Sequence, residues 1–134
     1  MTSTIQLNKE VVRRLYEDCL NTKDLSLLND LIHPDFKGPE AKTGPPGYQA
    51  IVKELMHGFP DIQFKIEDLL GEADKVAVRW VWTGTHKGFF KGFEASNKTV
   101  NNSGIVILWF RDNKIIEIWV KVDRMEVLQQ IKAN

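Results

Sequence analysis

Lys114-Ile115-Ile116-Glu117-Ile118-Trp119-Val120-Lys121-Val122-Asp123 is dense in β-branched residues, carries one tryptophan and ends on a carboxylate. Such a run reads as a strand with apolar side chains on both faces. Just before it, Arg111-Asp112-Asn113-Lys114 is a tight hairpin turn, with Asp and Asn at the two positions that need positive φ. The run is therefore the second arm of a hairpin. Its partner is a long strand from about Lys98 to Phe110, whose Ile105–Phe110 end is again apolar on both faces. After Asp123, Met125, Leu128 and Ile131 form the buried stripe of a short closing helix.

Working back from the hairpin, Val76–Thr83 puts Val76, Val78, Trp80 and Trp82 on one face and Ala77, Arg79, Val81 and Thr83 on the other. The turn Glu72-Ala73-Asp74-Lys75 joins it to a strand in which Ile62, Phe64 and Ile66 alternate with polar residues. Before Asp61 the period is helical. Residues 8–21 place Val11, Val12, Leu15, Tyr16, Cys19 and Leu20 in adjacent columns, with Asn8 as the N-cap. A second helix starts at Asp24, buries Leu25, Leu28, Leu31 and Ile32, and ends at Pro34. Residues 37–47 read as a Gly/Pro loop, and Tyr48–His57 as a third helix closed by Gly58 and Pro60.

Helices first and four antiparallel strands after them specify an α+β layer fold. The helices can cover only one face of the sheet, yet its last three strands are apolar on both. A second copy of the same sheet is the simplest cover, so a homodimer through the open sheet face is expected.

At 134 residues the chain makes one domain, 1–134. Eighteen basic residues balance eighteen acidic ones, with no run of either sign. That excludes the clustered basic face that nucleic acid or an anionic membrane surface requires. No apolar stretch approaches a membrane span, and Met1-Thr2-Ser3-Thr4 does not open a signal peptide, so a cytoplasmic protein is expected. The single cysteine, Cys19, reads as a small buried hydrophobe. His33, His57 and His86 are scattered, and no His/Cys/Asp spacing matches a metal site.

The chain resembles the SnoaL-like polyketide cyclase family, within the nuclear-transport-factor-2-like superfamily. The resemblance rests on Asn8-Lys9-Glu10-x-x-Arg13-Arg14-Leu-Tyr-Glu17, Pro34-Asp35-Phe36, Phe59-Pro60-Asp61 and Ile66-Glu67-Asp68. It continues through Val76-Ala-Val-Arg79-Trp80, Gly84-Thr85-His86-x-Gly88-x-Phe90-x-Gly92 and Lys114-Ile115-x-Glu117-x-Trp119-x-x-x-Asp123. It implies a cone-shaped barrel: a strongly curved, mainly antiparallel sheet, three N-terminal helices on its concave face and a short C-terminal helix. It also implies chemistry without metal or organic cofactor, in which the aspartate matching Asp123 serves as general acid/base at the bottom of an aromatic cone. Desolvation there would raise its pKa. The chain departs from the family where histidines often stand: Lys37, Gly38 and Pro39 follow Pro34-Asp35-Phe36, and Ile118 precedes Trp119.

Two functional readings follow. One is a cofactor-independent enzyme of the cyclase, isomerase or hydrolase kind, acting on a small apolar or aromatic carbonyl compound. The other is a non-catalytic binding or dimerising domain of the same fold. In the first, Asp123 is the acid/base, with His86 as a second candidate. The walls would be Trp119, Trp80, Trp82, Tyr16, Met56, Phe59 and Phe90. Each has a plainer reading. Asp123-Arg124-Met125-Glu126 fits an acidic capping box, His86 reads as a hydrogen-bonded structural residue, and the tryptophans as core. Arg79 is expected to pair across the dimer or with a ligand carboxylate. Lys87–Asn97, with three phenylalanines, reads as a lid over the cone or as a bulged hairpin extending the core.

Overall fold

The computed structural model describes residues 3–133. Helix α1 (Thr4–Arg13) is capped by Ser3, whose side chain accepts from the Gln6 N–H. Its Val12 and the Leu15 and Cys19 beyond it are fully buried. Asn8, expected as the cap, lies inside the helix with its side chain buried, where Oδ1 accepts from Asn113 Nδ2 at 3.1 Å. The chain continues as a π-helical segment, Arg14–Leu20, closed by the Asn21 N–H donating to the Tyr16 carbonyl. Short π segments often mark functional sites, and this one carries Tyr16.

The second helix is shorter than its apolar stripe implies. A 3-10 turn (Leu25–Leu27) and α2 (Leu28–Leu31) give way at Ile32 to a strand, β1 (Ile32–Lys37). The helix ends at Leu31, three residues before Pro34, which sits in an edge strand, where a residue without an N–H is tolerated. β1 pairs parallel with the last strand, Ile32 opposite Ile115 and Lys37 opposite Glu117. Helix α3 (Gly44–Gly58) starts inside the expected 37–47 loop, with prolines in its first turn, where their missing N–H is harmless.

The strands β2 (Gln63–Glu72), β3 (Lys75–Thr85), β4 (Thr99–Arg111) and β5 (Lys114–Val122) follow, then α4 (Arg124–Lys132). The hairpin turn between β4 and β5 has Asp112 at φ 54° and Asn113 at φ 60°, as its sequence requires. The sheet is mixed and five-stranded, ordered β1-β5-β4-β3-β2. Its two edges are β1 and β2, so the sheet of the expected cone-shaped α+β fold is not closed into a barrel, and helices lie on one face.

Parity along β3 and β4 decides which face that is. Val76, Val78, Trp80 and Trp82 are buried, as are Val100, Asn102, Val106, Leu108 and Phe110. The other face carries Ile105, 45% exposed, and Trp119, 50% exposed, with no helix of the described residues over them. Arg79, also on that face, is spent within its own sheet: it holds Asp68 Oδ2 through Nε at 2.7 Å and Nη2 at 2.6 Å. No helix among the described residues is long and apolar enough to cross a membrane.

Candidate functional site

Where the helices leave the inner face of the sheet incompletely filled, a cavity of about 420 Å³ remains, within the usual size range of small-ligand sites. The π-helical segment contributes Tyr16 and Leu20, and α3 contributes Tyr48, Ile51, Val52 and Leu55. Phe64, Trp80, Trp82 and Val106 form the sheet wall. β5 and α4 close the remaining side with Ile118, Val120, Val122, Val127 and Leu128.

The aromatic part of this wall is interlocked. Phe64 meets Trp80 edge to face at 5.1 Å and lies 5.2 Å from Tyr16. Trp82 lies 4.8 Å from Phe59, which sits behind the wall and in turn supports Phe90 at 5.2 Å. Ring pairs of this kind add to the stability that burial already gives.

Among these apolar walls are a few polar atoms. Trp80 Nε1 and Asn102 Oδ1 are buried without a hydrogen-bond partner. The Trp80 ring stands 6.4 Å from the Tyr16 ring. Burial pushes the Tyr16 and Tyr48 hydroxyls far above the usual phenol range, so both stay protonated. The interior therefore offers hydrogen-bond donors in a water-poor setting, where they act on a ligand oxygen more strongly than in water. Charge is confined to Glu54, Lys91 and Arg124. Lys91 Nζ bonds Glu54 Oε1 at 2.9 Å, and that bond holds the Glu54 carboxyl below its ordinary value despite some burial.

Of the residues the sequence points to, Tyr16, Trp80, Trp82 and Phe90 do line the cavity. Phe59 is fully buried behind them, and Met56 packs half-buried against the core. Trp119 and Asp123 are not in the wall. They share a face, as their parity requires, but it is the outer one. The β4–β5 register sets Leu108 opposite Ile118, Val106 opposite Val120 and Gly104 opposite Val122, which turns those β5 residues inward and Trp119 out. Asp123 is exposed and caps α4, its Oδ1 accepting from the Glu126 N–H at 3.0 Å. That is the Asp123 half of the capping box, and among the described residues no desolvated carboxylate lies at the cavity floor.

His86 is fully buried outside the cavity wall. Its Nδ1 accepts from the Ser96 N–H at 3.2 Å and lies 2.9 Å from Ser96 Oγ, while Nε2 has no partner. It ties the two ends of the 86–98 excursion together, with its N–H donating to the Lys98 carbonyl and its carbonyl accepting from Asn97. The first half of the excursion is fixed as well. The Lys87 and Gly88 N–H groups both donate to the Gly58 carbonyl. A Cβ on Gly88 would fall 2.1 Å from the His57 carbonyl oxygen, and one on Gly58 would meet Phe90 at 2.8 Å. This close seating makes the segment a wall that presents Phe90 and Lys91, with Phe89 exposed.

Asn102, Tyr48, Phe64, Glu54, Lys91 and Arg124 were not foreseen as site residues. Asn102 had a signal: it shares strand parity with Val106 and Leu108, and a lone amide on an apolar stripe needs a partner. Cys19 is the inert core thiol the sequence describes, its pKa pushed up to about 11 mainly by burial and secondarily by Asp24. Among the described residues, no three His, Cys, Asp or Glu side chains are grouped as a metal site requires.

A family model described as SnoaL-like polyketide cyclase matches residues 10–131. Solved structures agree with it in fold. A candidate SnoaL-like polyketide cyclase from Jannaschia sp. CCS1 superposes with a TM-score of 0.89 at 24% identity, covering 100% of this chain and 97% of its own. A candidate polyketide cyclase from Acidithiobacillus ferrooxidans gives a TM-score of 0.85 at 27% identity, covering 98% of each chain. IdmH, a candidate polyketide cyclase from Streptomyces antibioticus, gives 0.77 at 26% identity over 92% of this chain and 97% of its own. A comparison with curated proteins found no match.

Proposed function

The chain belongs to the SnoaL-like polyketide cyclase family, and from that premise we propose that it is a cofactor-independent enzyme working by acid/base chemistry on a small apolar or aromatic carbonyl compound. The observation that carries this reading is the apolar cavity, two of whose lining residues, Trp80 and Asn102, hold buried polar atoms without partners. A ligand carbonyl reaching the Tyr16 hydroxyl gains a hydrogen bond that strengthens as an enolate forms, because the charge grows where the donor already stands. Cyclisation and isomerisation both pass through such an enolate.

Asp123 is the proposed base. Its two chain neighbours, Val122 and Arg124, line the cavity while Asp123 itself faces outward, so this role requires the backbone at the β5–α4 junction to rearrange and the bond to Glu126 to be given up. The test is exchange of the acidic C–H of an aryl 1,3-diketone with deuterated water, followed by NMR. Exchange should be accelerated by the wild type and fall to background in Asp123→Asn, which keeps the cap but cannot take a proton. Full exchange by the Asn variant removes Asp123 from the mechanism.

A second reading, a binding module without turnover, draws support from the observed position of Asp123, exposed and engaged on α4. It predicts binding of the diketone without accelerated exchange. Under either reading we propose that two copies pair through the outer sheet face, where Ile105 and Trp119 lie exposed.

A further inference from the structure

The charged mouth of the cavity takes no part in the chemistry above. Its walls supply two cations, Lys91 and Arg124, and one anion, Glu54. The anion is already used: Lys91 holds it at 2.9 Å. Arg124 is left over. Its guanidinium has no hydrogen-bond or ion-pair partner among the described residues, although it lies near enough to Glu54 to favour that group's ionised form. The nearest acids on its own element do not take it up: Asp123 is engaged with the Glu126 N–H, and Glu126 makes no ion pair among the described residues. Lys132, further along α4, adds positive charge over the Phe93 ring at 5.2 Å.

A guanidinium is the side chain best matched to a carboxylate, presenting a planar fork of donors to two oxygens. Here it stands at the edge of walls that otherwise favour hydrocarbon. Resting on the reading of the cavity as a ligand site, we propose that the ligand is an anionic amphiphile. Its apolar body fills the cavity, and a single carboxylate or comparable anionic group lies at the mouth on Arg124, with Lys91 as the second cation. Arg124 thereby becomes a specificity-determining residue, and Glu54 a competitor that keeps Lys91 from binding the anion as strongly.

Two fluorescent probes with one skeleton test this: 8-anilinonaphthalene-1-sulfonate, which is anionic, and N-phenyl-1-naphthylamine, which is neutral. Each is titrated into the full chain and into Arg124→Gln and Glu54→Gln. Arg124→Gln should weaken the anionic probe about tenfold, the usual size of a lost charge-assisted hydrogen bond. The neutral probe should stay within about twofold, which also shows that the variant cavity is folded. Glu54→Gln should tighten the anionic probe alone, and added salt should weaken it alone. If Arg124→Gln moves both probes equally or neither, the anionic ligand class is wrong while the cavity stands. If the wild type binds neither probe, the cavity reading itself falls, and this proposal with it.

Discussion

The two faces of the central strands share one backbone but meet different fates. On the inner face Trp80 and Trp82 are 5% and 2% exposed, locked among aromatic neighbours under the helices. On the outer face, Trp119 is 50% exposed, with Ile105 beside it and nothing above. Equal hydrophobicity therefore has two meanings. Inside, it builds a wall that is stable because it is packed. Outside, it leaves an apolar surface still in contact with water, which a monomer gains nothing by keeping.

That contrast can be broken by experiment, and the largest effect is on stability. Trp80→Ala should cost about 3–5 kcal/mol in urea unfolding, because it removes a buried aromatic and leaves a hole. Trp119→Ala, measured on dilute protein, should cost about 0.5 kcal/mol or less, as surface changes do. Equal costs would mean that the two faces are not distinct. Next in size is assembly. Trp119→Glu should weaken self-association by about 2 kcal/mol or more, as loss of a central aromatic contact does, and sedimentation equilibrium should then show monomer where the wild type shows dimer. A wild type that sediments as monomer at micromolar concentration removes the second copy from the outer face. The smallest effect lies at the end of β5, where Asp123→Ala should cost about 1 kcal/mol and Asp123→Asn only a few tenths, if the carboxylate acts as a cap.

Much of this architecture was legible in the residues. Alternation in β3 separated Val76, Val78, Trp80 and Trp82 from the residues of the opposite face, and the Asp112-Asn113 turn fixed the last hairpin through positive φ. β1 was hidden because Ile32 continues the stripe of Leu28 and Leu31, and because Pro34 signals a break as readily as an edge strand. The facing of β5 was hidden for a different reason. With apolar residues at both parities, its own sequence cannot say which side is inside; only the register to β4 does, and that is a tertiary fact. The site inherited this ambiguity. The largest aromatic drew attention outward to Trp119, while the cavity was lined by the plainer Ile118, Val120 and Val122. Its charged mouth assembles from α3, the 86–98 excursion and α4, which no local pattern brings together.

The seating of that excursion has a kinetic consequence. With its ends joined through His86 and its first half seated on Gly58, the part that carries Phe90 has little freedom to swing aside. A ligand must then come and go past Val120, which is 46% exposed, and the charged groups beside it. Residence time would be governed by the departing molecule's own contacts, with no slow gate to add to them. A cavity of this kind is always ajar, and its contents exchange as quickly as their affinity allows.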